Sequence, residues 1–147
     1  MKPSKPWLSY DGVAVSANLD LVRSIYADWE RGDFSTARWA HPAIQFVMVG
    51  GPDPGTWTGV AGMGEGWFRF LEAWDDFHVE ADDQRELDRT RVRVLIRRSG
   101  TGRRSGMAVA QMQSRAADVI HILDGKVMQL VHYWDRDRAL ADLGLEE

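Results

Sequence analysis

Four ionisable side chains flank one Asp-Gly pair near the end of the chain. Asp118 and His121 lie in the run ADVIHIL ahead of Asp124-Gly125, and His132 and Asp135 lie in KVMQLVHYWD behind it. An aspartate beside a histidine is a small set able to hold and move a proton near neutral pH. The carboxylate orients the imidazole, and the imidazole exchanges the proton. Burial disfavours the charged form of each group while mutual attraction favours it, so either balance leaves a group suited to acid/base work.

The two runs are apolar and β-branched, and Asp-Gly between such runs signals a hairpin. Which of the four residues share a face depends on the turn. A two-residue type I′ turn pairs Leu123 with Lys126 and puts Asp118 on one face with Val131 and Tyr133. A three-residue loop, with Gly125 in the left-handed region, moves the register by one. Asp118, Ile120 and Ile122 then face the same way as Met128, Leu130, His132 and Trp134, and His121 joins Val131, Tyr133 and Asp135 on the other side. The second register is preferred, because its face has the composition of an apolar pocket wall with one Asp/His pair in it.

Other polar residues carry less. His41, before Pro42, and His78, near the start of a strand, read as surface or structural positions. Asp135 reads as the N-cap of a last helix, with Asp137 adding negative charge in its first turn. Four dispersed histidines and no cysteine make no metal signature, and no thiol chemistry is available. Gly62 and Gly64 are not a phosphate loop, since no strand immediately precedes them and no Lys-Ser/Thr follows. Arg97, Arg98, Arg103 and Arg104 straddle Gly100 and Gly102 and read as a solvated hairpin tip. Gln111 and Gln113 interrupt a run suited to burial, and one of them is a candidate to reach a pocket.

These residues need a scaffold, and 147 residues suffice for one domain. Residues 1–17 read as an irregular leader ahead of a domain over 18–147. Leu19, Val22, Ile25, Tyr26 and Trp29 recur at helical spacing and stop at Gly32. Asp33 is placed to cap a short second helix, Phe34 to Ala40, ended by His41-Pro42. Ile44 to Val49 is a strand and 50–55 a loop. Val60, Met63, Trp67, Phe70, Leu71 and Trp74 mark a third helix with an aromatic face. Four strands follow, at 77–87, 91–98, 107–118 (running on to Leu123) and 126–134, then a helix from Arg136 to Leu143. Helices and strands are segregated, which is an α+β pattern.

A net charge of −4 argues against nucleic acid or an anionic membrane surface as partner. The apolar stretches fall far short of the ~20 residues of a membrane span. Met1-Lys2-Pro3-Ser4-Lys5-Pro6 is not followed by the apolar core of a signal peptide, so a cytoplasmic location is expected.

Three stretches carry a family resemblance: VRSIYADWERGDF, WTGVAGMGEGWFRFLEAWDDFHVE, and DGKVMQLVHYWDRDRALADLGL. Over roughly residues 18–145 the chain resembles the SnoaL-like branch of the nuclear transport factor 2-like superfamily. The resemblance implies a cone-shaped, curved mixed sheet wrapped around three N-terminal helices and enclosing a pocket. It also implies a homodimer as the usual assembly; a small apolar ligand and no cofactor are expected for the chain. Asp118 falls where ketosteroid isomerases keep a protonated aspartic acid. His132 falls where limonene epoxide hydrolases carry an aspartate, and SnoaL-type cyclases carry the two residue types exchanged. The pocket is expected to be lined by Phe46, Met63, Trp67, Phe70, Ile120, Met128, Leu130 and Trp134, with Asp118 and His132 as the catalytic pair. Phe46 occupies the position of the isomerases' general base, and their oxyanion tyrosine aligns with Ile25, one step from Tyr26. Those departures argue against steroid isomerisation, and the epoxide hydrolases' Arg-x-Asp arrangement is missing. Three readings stay open: an acid/base enzyme of cyclase, isomerase, dehydratase or hydrolase type, a ligand-binding module without turnover, and a dimeric scaffold with a filled pocket.

Overall fold

The computed structural model describes residues 10–51, 54–102 and 115–144, with side chains from residue 17 onward. Gln111, Gln113, Arg103 and Arg104 lie outside the described residues, as does most of the expected 107–118 strand. Among the described residues are three helices, α1 (Tyr10–Glu30), α2 (Gly59–Glu72) and α3 (Arg136–Leu143). The strands are β1 (Ala40–Val49), β2 (Gly55–Thr58), β3 (Trp74–Glu86), β4 (Arg91–Gly102), β5 (Arg115–Leu123) and β6 (Lys126–Tyr133). The six strands form one curved, unclosed sheet in the order β2-β1-β6-β5-β4-β3, with β1 parallel to β6 and every other pair antiparallel.

The expected α1 stripe buries Val22, Ile25, Tyr26 and Trp29 against the concave face, and Gly32 ends the helix at φ +83°. The helix starts at Tyr10, well inside the stretch read as an irregular leader. Glu30 accepts the Ala81 N–H at 2.8 Å and Asn18 Nδ2 donates to the Arg89 carbonyl at 2.8 Å, which pins α1 along β3. The second short helix does not form. Asp33 instead accepts from the backbone N–H and hydroxyl of Ser35 in a local turn. Phe34 and Trp39 pack their rings on Trp29, and β1 begins at Ala40. Packing of those two rings overrides a weak local preference for helix. The sheet is therefore held against two N-terminal helices, with the third helix at the C-terminal end.

The four-residue β2 starts at the end of the expected loop 50–55, where the sequence reading has no strand. It brings Trp57 onto Phe46, with ring centroids 5.6 Å apart. A Cβ at Gly66 would stand 2.8 Å from the Trp57 ring and 3.1 Å from Phe46, so the missing side chain lets α2 lie close on these strands. On the convex face Ala139 and Leu140 of α3 pack on Leu95 and Ala117 of the sheet. Asp135 caps α3 as expected, accepting from the Asp137 N–H at 3.1 Å.

The β5–β6 hairpin resolves the register in an unexpected way. Asp124 and Gly125 have φ of 52° and 76°, the signature of a two-residue type I′ turn, and Leu123 pairs with Lys126. The three-residue loop expected at this turn is absent. A bulge then separates the Ile122–Val127 pair from His121–Gln129, with Met128 as the extra residue. That bulge moves the register by one, and Asp118 stands directly opposite His132.

Candidate functional site

Asp118 and His132 lie in one row across the concave face, in which Met48 of β1 pairs with His132, His132 with Asp118, and Asp118 with Val94. His132 Nδ1 is 2.6 Å from Asp118 Oδ1, and the Tyr26 hydroxyl from α1 donates to Asp118 Oδ2. On the far side of the imidazole, Arg98 Nη1 is 3.2 Å from His132 Nε2, and Arg98 Nη2 donates to the Trp134 carbonyl at 3.0 Å. The four side chains form a buried chain, Tyr26–Asp118–His132–Arg98, with exposures of 1, 2, 3 and 3 %.

The proton positions follow from the partners. A guanidinium has only donors, so Nε2 must accept; the ring proton then sits on Nδ1 and is donated to Asp118. Asp118 receives two donors, one per oxygen, and the imidazole is held in one tautomer. Burial, then the Asp118 charge and hydrogen bond, push the Tyr26 phenol well above its ordinary pKa, so it stays a donor. Burial lowers Arg98 to about 10, opposed by the attraction of Asp118, which leaves it cationic at neutral pH.

A cavity of about 200 Å³ lies beside this chain, lined by Met48, Trp57, Gly66, Arg69, Phe70, Ala73, Trp74 and Trp134. Of the residues expected to line a pocket, Phe70 and Trp134 reach it. Phe46, Met63, Ile120 and Leu130 are core residues, Trp67 packs half-buried against that core, and Met128 is the extra residue of the bulge. Trp67 packs on the concave face and stacks on Phe46 at 5.3 Å. Asp118 and His132 are not on the cavity wall. They stand one layer behind it: Phe70 meets the imidazole edge-on at 5.9 Å, and the Arg98 guanidinium lies 4.2 Å from the centre of the Trp134 ring. Gly51, at φ +77°, passes so close to Trp134 that a Cβ there would sit 2.5 Å from the indole.

Sequence reading missed Tyr26 and Arg98. Helical spacing puts Tyr26 on the buried face of α1, where a buried phenol needs a partner, but spacing alone does not name it. The glycine-rich sequence around Arg98 reads as a solvated hairpin tip. Arg98 instead continues the alternation Val92, Val94, Ile96 into the interior, while Arg97 points outward to Asp82 at 2.8 Å. The remaining histidines do not join the site. His41 Nδ1 accepts from the Ala43 N–H at 2.9 Å, His78 is exposed, and His121 pairs in the sheet with Arg91 and Gln129. Among the described residues no group of three or more His, Cys, Asp or Glu could hold a metal ion.

The two-helix layer over an open mixed sheet, with polar residues in its concavity, is an arrangement shared with solved structures. The chain has the NTF2-like/SnoaL-like fold. An NTF2-like protein from Burkholderia thailandensis E264 is 27% identical, with 78% of this chain and 87% of that one covered at a TM-score of 0.68. A candidate SnoaL-like polyketide cyclase from Jannaschia sp. CCS1 is 12% identical, covering 80% and 84% at a TM-score of 0.64. TerC, crystallised with polyporic acid, is 21% identical, covering 86% and 97% at a TM-score of 0.66. No family model and no curated protein matches the sequence. No helix among the described residues is long and apolar enough to cross a membrane.

Proposed function

We propose that this NTF2-like protein binds a small, largely apolar molecule in the aromatic cavity and performs cofactor-free acid/base chemistry on it. The reaction is of isomerase, cyclase, dehydratase or hydrolase type. His132 moves the proton through Nε2, and Asp118 and Tyr26 are positioning residues that hold its tautomer. The observation that carries this reading is the buried Tyr26–Asp118–His132–Arg98 chain, whose acceptor nitrogen meets Arg98, which in turn stacks on the cavity residue Trp134. A polar chain this deep is costly to bury unless paired, and it holds an imidazole one layer behind an apolar pocket. That a protein of this fold has been crystallised with a small molecule supports the binding half.

Phenylpyruvate, an enolisable one-ring keto acid, provides a test in deuterium oxide followed by proton NMR. Exchange at its benzylic carbon is expected to be faster with the protein than in buffer. Acid/base assistance is worth typically about 10²–10⁴-fold, so a loss on the order of 10²-fold is expected in His132→Gln, with binding kept. A wild-type protein that binds the probe and leaves its exchange at the buffer rate excludes the enzyme. One observation favours that second reading, a binder without turnover: neither Asp118 nor His132 touches the cavity.

We further propose that two copies pair through the convex face. Val47, Val119, Val131 and Tyr133 lie there in adjacent β1, β5 and β6, and all but Val119 are half-buried in the single chain. The absence of cysteine fits a reducing compartment, and the cytoplasm is the location proposed.

A further inference from the structure

Resting on the cavity reading above, we propose that Ala73 is a specificity-determining residue of this site. It holds open the mouth of the aromatic cavity, and the space behind it takes a flat molecule of one ring or two fused rings. Burial along the wall gives the cavity a direction. Met48, Gly66 and Trp74 are buried and form its inner end, and Trp57, Phe70 and Trp134 are half-buried along its sides. Arg69 and Ala73 are exposed, so the cavity meets solvent at the C-terminal end of α2. Gly66, Phe70 and Ala73 recur at helical spacing, and one stripe of α2 therefore faces the cavity. The two small residues of that stripe are small for different reasons. At Gly66 packing forbids a side chain, since a Cβ would stand 2.8 Å from the Trp57 ring. At Ala73 neither backbone nor depth limits the side chain. The residue is exposed, and its φ of −75° and ψ of −11° are open to any L-residue. What a larger side chain there would obstruct is the opening itself.

The size of the ligand follows from the space behind that opening. A cavity of about 150 Å³ holds one benzene ring, so one of about 200 Å³ admits a substituted ring or two fused rings and is too small for three. Sites for drug-sized ligands are larger, at roughly 300–1,000 Å³. Its shape follows from the walls. Four of the eight lining residues are aromatic; Trp74 and Trp134 are tilted 32° at 6.2 Å, and Phe70 meets Trp134 edge-on at 6.1 Å. Such walls favour a flat π-system in offset or edge contact. The ring enters first. A polar substituent stays at the exposed end, beside Arg69 and Ala73, where it keeps its water. Arg69 has a partner of its own within the protein, and the selection is by size and shape.

Calorimetric titration of the intact protein with 2-naphthol, its saturated analogue decahydro-2-naphthol and the three-ring acridine tests the fit, at a mildly alkaline pH where all three are uncharged. The first is expected to bind about tenfold more tightly than its saturated analogue, and acridine not measurably. Stopped-flow tryptophan fluorescence tests the mouth. In Ala73→Leu the association of 2-naphthol should slow by about tenfold, with the urea midpoint unchanged. In Ala73→Ser both should match the wild type. Association in Ala73→Leu at the wild-type rate overturns the role of Ala73. A lowered midpoint in that variant assigns the slowing to packing and overturns the role too. Equal affinity for decahydro-2-naphthol or for acridine overturns the flat one- or two-ring ligand and leaves the cavity as an apolar site of another shape. Binding of none of the three removes the cavity reading as well.

Discussion

Asp118 is a buried carboxylate that accepts from two different elements, Tyr26 of α1 and His132 of β6. Removing one leaves part of a buried acceptor without its donor, which typically costs about 1–3 kcal/mol. Tyr26→Phe is expected to lose about that much in urea unfolding near neutral pH. Its alkaline behaviour is more specific. Burial and Asp118 raise the Tyr26 pKa, so the native state keeps the phenolic proton after the unfolded chain begins to lose it near 10.0. The native state then binds more protons, and stability falls with rising pH from about that value until the folded pKa is reached. Below it the contribution is intact. In Tyr26→Phe this share of the alkaline fall should disappear, as unfolding curves at several pH values between neutral and alkaline can check.

At the scale of elements, the paired faces of β5 and β6 were legible in the sequence although the turn between them was not. The apolar composition of one face pointed to Asp118 and His132 sharing it; the expected three-residue loop sets Asp118 against Leu130, and the bulge sets it against His132. From the observed turn, an unbroken ladder would set Asp118 against Val131 and turn His132 outward. Bulges leave little trace in composition, because the extra residue, here Met128, is as apolar as its neighbours. Helix α1 and its Gly32 stop were legible because the 3.6-residue spacing is strong. The turn at 33–39 was not, since packing of Phe34 and Trp39 decides it. The pocket wall was legible only in part: concavity can be inferred from pattern, but how far Trp67 fills it depends on three-dimensional packing. The glycines at loop positions make a sharper test. Gly51→Ala meets both a left-handed backbone and the Trp134 ring, whereas Gly125→Ala meets the backbone alone. The second should cost roughly 1–2 kcal/mol. The first should cost roughly 1–3 kcal/mol more, from forced displacement of the indole, with a matching change in tryptophan fluorescence.

For the whole molecule, the sheet has two unlike faces. The concave one is closed by α1, α2 and the aromatic cluster around Trp29, Phe34 and Trp67. The convex one is covered by α3 at one end and carries valines and Tyr133 elsewhere. If a second copy covers that region, Val131→Arg should yield a monomer in sedimentation velocity while leaving the unfolding midpoint of the monomeric unit little changed. A wild-type protein that sediments as a stable monomer at micromolar concentration overturns the pairing. The concave site lies on the opposite side, so ligand binding and pairing should be separable by mutation.

An unclosed sheet ends in two strands that could recruit further chains and grow into fibrils. Here one end strand, β2, is four residues long, too short to template much. The other, β3, runs for thirteen residues as WDDFHVEADDQRE. Its backbone is engaged by the Glu30 carboxylate at Ala81, its ladder is broken twice by irregularities, and carboxylates stud its length. Those charges repel an incoming copy, and the irregularities deny it a straight ladder to pair with. The seat of α1 along β3 thus does more than bring Tyr26 to Asp118: it occupies part of an edge that would otherwise be open to a further strand.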